Sequence, residues 1–168
     1  YKPWPDALLE SAREQLTGSL LNGFVLALYT GQRLGDILNM RWSDIEDDSI
    51  HVVQHKTDED LWIPLHYNLK THLDEQRADR NSLFIVCRKD GKPYTADGFK
   101  SLWHRATKGW GFQFHGLRKT AAVKLAEAGC TEKQIAAITG HQTLAMIQHY
   151  TKGTNQIRLG QDAMSKWN

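Results

Sequence analysis

The sequence predicts an α+β fold, predominantly helical: a helical bundle with a small three-stranded antiparallel sheet. Three observations predict it. Apolar residues at helical spacing run through both ends of the chain. A middle stretch, within 49–65 and again at 82–86, turns to short runs of β-branched and aromatic residues around polar turns. Capping residues punctuate the helical segments of the second half.

Taken in order, Pro5-Asp6 opens a first helix in which Ala7, Leu8, Ala12 and Leu16 share a face and which Gly18 ends. Apolar residues then fall at 20, 21, 24, 25, 28 and 29, the stripe of a buried helix. Thr30-Gly31 breaks it, residues 33–40 resume with Leu34, Ile37 and Leu38 inward, and Trp42 closes the cluster. Residues 49–55 and 61–65 flank the turn T-D-E-D at 57–60 and read as a hairpin, with Lys56 at the end of its first strand. Residues 67–78 are helical again, and 82–86 form a third strand stopped by K-D-G-K-P at 89–93. Thr95 caps a helix carrying Phe99, Leu102 and Trp103, and G-W-G-F at 109–112 is a loop. Residues 115–128 are helical up to Gly129, and Thr131 with Gln134 makes a capping box for a helix that stops at Gly140. Thr143 caps another helix holding Leu144, Ile147 and Tyr150, and a tail over 156–167 is weakly amphipathic through Ile157, Ala163, Met164 and Trp167.

The 168 residues suit a single domain with a real core. The longest apolar run, F-V-L-A-L-Y at 24–29, falls far short of the roughly 20 residues of a membrane span. The start, Y-K-P-W-P-D, has no signal-peptide core and no initiator methionine, as expected of an excised fragment. Cys87 and Cys130 form no C-x-x-C pair and no disulfide framework, which fits a reduced compartment. A net charge of +2 does not by itself point to nucleic acid, so any such surface must come from local clustering.

The chemistry-bearing residues are few. His115 and Arg118 lie three apart on a helix and point to one side. Arginine offers a charged planar fork that matches phosphate oxygens, and histidine can donate to the same phosphate or move a proton near neutral pH. Arg33 stands where the loop Thr30-Gly31-Gln32 enters a helix, a place that favours anions, and Asp36 is placed to orient it. His141 follows Gly140 in a tight turn that can aim a side chain into a cleft. Tyr150 is a poor nucleophile at its ordinary pKa of about 10 unless its site stabilises phenolate or takes its proton. Lys56 on a flexible stem can reach a groove and act as a general acid. Singly, each has an ordinary structural role: a capping histidine, an i, i+3 ion pair, a turn lysine, a packing tyrosine. None of the histidines has metal-ligand spacing, so no metal is expected.

The combination decides. Arg33 in T-G-Q-R-L-G-D, Lys56 on the hairpin, His115 and Arg118 in H-G-L-R, His141 in T-G-H and Tyr150 in H-Y-T together resemble the catalytic domain of the tyrosine recombinases, the phage integrase family, over roughly residues 5–152. The resemblance implies double-stranded DNA as partner, with Tyr150 attacking a phosphodiester to form a 3′-phosphotyrosyl bond and free a 5′-hydroxyl. Arg33 and Arg118 would hold the non-bridging oxygens, His115 would serve as general base, His141 would hydrogen-bond the phosphate, and Lys56 would protonate the leaving oxygen. Asp36 stands where the family has an acidic residue that braces the first arginine. No metal or other cofactor is implied.

The chain departs from the family at Gly116, where an acidic residue often follows the motif histidine, and at Lys119, where a histidine often follows the motif arginine. It also lacks the core-binding and arm-binding domains that usually come first. The resemblance further implies a homo-tetramer on DNA and a monomer for the isolated domain, with accessory DNA-bending proteins as further partners, in a bacterial host's cytoplasm. The tail over 153–168 is the candidate for exchange between protomers. Rival readings are a recombinase that resolves chromosome dimers, a type IB topoisomerase-like enzyme, and a degenerate DNA-binding module.

Overall fold

The segment G-S-L-L-N-G-F-V-L-A-L-Y-T is apolar on nearly every side, and a helix of that kind is stable only when enclosed. In a computed structural model, which describes residues 1–141, 145 and 148 and the backbone of 156–167 (side chains from 159), this segment is the central helix. The chain runs α1 (Asp6–Gln15), α2 (Gly18–Thr30), α3 (Leu34–Asn39), a 3-10 turn (Trp42–Asp44), β1 (Ile45–Glu46), β2 (Ser49–Val53) and β3 (Asp60–Pro64). It continues through α4 (Tyr67–Arg77), α5 (Ala96–Ala106), α6 (Gly116–Glu127), α7 (Glu132–Thr139) and α8 (Gln156–Lys166). Helices α1, α3, α4 and α6 all pack on α2. Phe24, Leu26, Phe99, Leu117, Ile37, Ile50 and Ile63 are fully enclosed in the core this builds.

The helical bundle and three-stranded antiparallel sheet are as the sequence predicts, with differences inside them. The buried stripe of α1 is Leu9, Ala12 and Leu16, with Leu8 half-covered, while Ala7 faces outward. The sheet order is β1-β2-β3, with Ile50 opposite Ile63 and Val52 opposite Leu61. The third strand is therefore Ile45–Glu46, not residues 82–86. The latter segment does bury Ile85 and Val86, which gave it the look of a strand. Its partner is the short extended stretch after α3: Trp42 N–H donates to Leu83 O at 3.0 Å and Ile85 N–H to Met40 O at 3.1 Å, which leaves a single bridge, Arg41 to Phe84.

Of the three caps read from the sequence, those at Thr95 and Thr131 form, and Thr143 lies outside the described residues. Thr95 Oγ1 accepts from Gly98 N–H at 3.1 Å. Thr131 Oγ1 accepts from Gln134 N–H at 3.2 Å while Gln134 Oε1 accepts from Thr131 N–H at 2.7 Å. The predicted helix with Leu144, Ile147 and Tyr150 lies mostly outside the described residues. Among the described residues no helix is long and apolar enough to cross a membrane.

A candidate phosphate-binding site at the junction of four segments

Two helices end in the same way on either side of the site. Gly31 after α2 (φ 65°) and Gly140 after α7 (φ 68°) take the left-handed conformation that stops a helix and turns the chain sharply. The carbonyls left near these ends, Gly31 O and Thr139 O, both face α6. Each accepts a hydrogen bond from Arg118 Nη1 at 2.7 Å. Arg118 is 4% exposed, yet its Nη2 has no hydrogen-bond partner. A buried guanidinium nitrogen left unpaired is costly, and a ligand oxygen removes that cost.

Arg33 stands at the N-cap of α3, on the loop that Gly31 starts, half-buried, with Nη1 donating to Gln54 Oε1 at 3.3 Å. Gln54 follows β2 and is completely buried. Its Nε2 donates to Gln32 Oε1 at 2.6 Å and to Thr139 O at 2.9 Å, and its Oε1 also accepts from Thr57 Oγ1 at 2.8 Å. One amide thus joins the arginine loop, the hairpin and the end of α7. Gly140 leaves room for it, because a Cβ there would lie 2.5 Å from Gln54 Nε2.

Asp36, also buried, does not pair with Arg33. Its Oδ1 accepts from His55 N–H at 3.0 Å and lies 3.5 Å from His55 Nδ1, which fastens the hairpin turn to α3. The side chain that holds Arg33 is Gln54. Sequence reasoning passed over Gln54, although a signal was there: Ile50, Val52 and Gln54 share the inward phase of the strand, which puts an amide in an apolar row. Lys56 is exposed in the turn between β2 and β3, beyond the end of the strand at Val53 rather than on it. That turn is tied by Gln54 N–H to Glu59 O at 2.9 Å and Asp58 N–H to Gln54 O at 2.8 Å.

The histidines complete the cluster. Burial is the main cause that holds His141 down to a pKa of about 4, followed by the charges of Arg118 and Arg33 and the neighbouring His115. His115 is likewise lowered, first by burial and then by Arg118, Arg33 and Lys119. Arg118 itself is lowered to about 10, by burial first and Arg33 second, with Asp36 partly offsetting. These mutual influences place Arg33, Arg118, His115 and His141 within electrostatic reach of one another. Both imidazoles are neutral at pH 7 there. His141 Nδ1 lies 2.6 Å from Thr139 Oγ1, which is also 2.8 Å from Ile135 O. The single hydrogen of the Thr139 hydroxyl is donated to Ile135 O, so His141 Nδ1–H donates to Thr139 Oγ1, and Nε2 of the neutral ring gains a hydrogen to donate only when the ring is protonated.

A cleft of about 790 Å³ opens beside His115, walled by Phe112 and Trp103 and flanked by Lys100, His104 and Lys108. Five of the seven residues singled out in the sequence, Arg33, Asp36, His115, Arg118 and His141, thus gather at one junction. Lys56 is on the hairpin that adjoins it, and Tyr150 lies outside the described residues. Among the described residues no group of three or more His, Cys, Asp or Glu side chains could hold a metal ion.

Two arginines and two histidines thus gather where four segments of a helical domain meet. The chain belongs to the phage integrase family, whose model matches residues 6–156. It is 31% identical over 134 residues to the shufflon-specific DNA recombinase of Escherichia coli, covering 76% of this chain and 33% of that protein. It is 30% identical over 139 residues to the integrase of Escherichia phage lambda, covering 74% of this chain and 39% of that protein. A lambda integrase tetramer bound to a Holliday junction superposes with a TM-score of 0.75 at 26% identity, covering 94% of this chain and 50% of that chain. The matches span between a third and two fifths of the length of these two curated relatives.

Proposed function

We propose that this chain is the catalytic domain of an integrase-type site-specific recombinase, which cuts and rejoins double-stranded DNA through a covalent 3′-phosphotyrosyl intermediate. The observation that carries the reading is the buried, unpaired Nη2 of Arg118 beside Arg33: two positive charges that, among the described residues, form no ion pair with a carboxylate. A phosphodiester brings the missing oxygens. In this reading Arg33 and Arg118 bind the two non-bridging oxygens and stabilise the charge of the pentacoordinate transition state. The Tyr150 oxygen forms a bond to phosphorus as the bond to the 5′-oxygen breaks. His115, neutral before reaction, accepts the tyrosine proton. Lys56 gives a proton to the departing 5′-oxygen, and His141, protonated once the phosphate's negative charge stands beside it, donates to the phosphate from Nε2. Asp36 supports the arginines through the α3–hairpin junction. Attack by a different 5′-hydroxyl reverses the step and completes strand exchange.

The cleft with Lys100, His104 and Lys108 beside His115 supports a DNA path past the site. Assembly into a homo-tetramer on DNA, with exchange of the 153–168 tail, belongs to the same proposal, as does action in the cytoplasm of a bacterial host. The test is incubation with a nicked suicide DNA substrate. A protein–DNA adduct that survives denaturation and persists in EDTA is expected, and it should vanish in Tyr150→Phe. Adduct formation by Tyr150→Phe, or wild-type cleavage by Arg33→Ala or Arg118→Ala, overturns the assigned roles.

A further inference from the structure

Residues 1–4 precede α1 and lie across the start of α6. Trp4 is buried among Phe24, Trp103, Trp110 and Phe112, with ring centroids 5.9–6.1 Å apart. Its backbone N–H donates to Thr120 Oγ1 at 2.7 Å and its Nε1–H to Gln113 O at 3.0 Å. The strap is thus fastened on both sides of His115, two residues before it and five after. Between these anchors it passes directly over Gly116. A Cβ at that position would lie 2.5 Å from Lys2 O and 3.0 Å from the Trp4 ring, so any larger residue would push the strap away. This gives a physical reason for the glycine in H-G-L-R. The crossing brings the Tyr1 ring to 4.7 Å from the His115 ring, inclined at 56°. His115 caps no backbone N–H of α6, and among the described residues no hydrogen bond holds its ring. The Tyr1 ring is the aromatic contact the structure gives it.

We infer that residues 1–4 form a strap, admitted by Gly116, that makes Tyr1 a positioning residue for His115. The inference rests on the recombinase reading for its effect on cleavage, though not for the contact itself. The strap ties the orientation of the proposed general base to the chain immediately upstream of the domain. The pKa of His115 is lowered first by burial, and the Tyr1 ring is one of the groups set against the imidazole.

The experiment compares the parent with Tyr1→Ala, Tyr1→Phe and Gly116→Ala. Without DNA, the His115 Cε1 proton is followed by NMR through a pH titration. Tyr1→Ala should shift its resonance as ring-current shielding is lost and raise its midpoint, while Tyr1→Phe keeps the parent's behaviour. With saturating suicide DNA, Tyr1→Ala should lower the single-turnover cleavage rate on the order of tenfold, a part of what general acid–base catalysis contributes. The acidic limb of its pH profile should move to higher pH, half-saturation by DNA should not change, and Tyr1→Phe should restore both rate and profile. Gly116→Ala should match Tyr1→Ala; if it does not fold, the Tyr1 pair decides alone. Equal midpoints and equal rates in Tyr1→Ala and the parent overturn the strap. A parent that forms no adduct overturns the recombinase reading instead, and the NMR titration still judges the strap.

Discussion

Replacing Gln54 by alanine should damage both fold and site. The side chain is fully buried and makes four hydrogen bonds, to Gln32, Thr139, Arg33 and Thr57. These do not count equally once it is gone. Thr139 O keeps Arg118 Nη1, and Arg33 and Thr57 are half-exposed and can turn to water. Gln32 Oε1 cannot: Gln32 is 1% exposed and loses its partner at 2.6 Å. An orphaned buried acceptor costs about 1–3 kcal/mol, and each lost internal bond about 1 kcal/mol net. With the bonds to Arg33 and Thr57 counted at about 1 kcal/mol each beside the orphaned acceptor, the expected loss is about 3–5 kcal/mol, or on the order of 10 °C in Tm for a domain of this size. Urea unfolding at neutral pH measures it. At a temperature where the variant is still folded, single-turnover cleavage should also fall, because Arg33 has lost the side chain that aims it. A stability loss below about 1 kcal/mol would refute the hub. A large loss with cleavage unchanged would show that Gln54 supports the fold but does not position Arg33.

Two further predictions follow from the charges. Inorganic phosphate or sulfate should stabilise the protein by filling the position before Arg118 Nη2, by about 2.7 kcal/mol at a hundredfold excess over Kd. Thermal melts should show this rise in the parent and not in Arg118→Ala. The pH dependence has a definite sign: His115 and His141 titrate below the ordinary 6.5 when folded, so the unfolded chain binds more protons as pH falls. Their stabilisation is full above about pH 6.5 and should drain away toward pH 4, and His141→Asn should flatten the urea midpoint over that window.

How much of this was legible in the sequence follows the physics of each feature. Local signals were readable: the Thr131–Gln134 box, the Thr95 cap, the buried stripe of α2 and the hairpin with its turn. The third strand was misread because burial of Ile85 and Val86 looks the same whether a segment pairs with a sheet or with a loop; only the partner differs, and the partner is distant in sequence. The same limit hid Gln54. Its role depends on Gln32 and Thr139, which the fold brings from 22 and 85 residues away. Asp36 was expected to orient Arg33 and instead accepts from His55 N–H, because periodicity cannot tell whether a carboxylate turns to the arginine three residues before it or to a backbone N–H on another element. Gly116 was visible as a departure from the family pattern, and its reason was not, because the atom that excludes a side chain there is Lys2 O.

The choice of partners for Arg118 separates a binding arginine from a structural one. A buried structural arginine is normally neutralised, with a carboxylate taking both of its outer nitrogens. Here Nη1 is spent on two carbonyl oxygens, which fix the guanidinium without cancelling its charge. The one buried carboxylate within electrostatic reach, Asp36, points its Oδ1 at the His55 N–H instead. Arg33 then adds a second charge of the same sign. Repulsion and burial together lower the pKa of Arg118 to about 10 and hold both histidines neutral. In the recombinase reading proposed above, a bound anion would offset this repulsion. Because carbonyls and an amide rather than carboxylates hold the arginines, the proposed phosphate would have no internal ion to displace, and the full field would fall on the group that reacts.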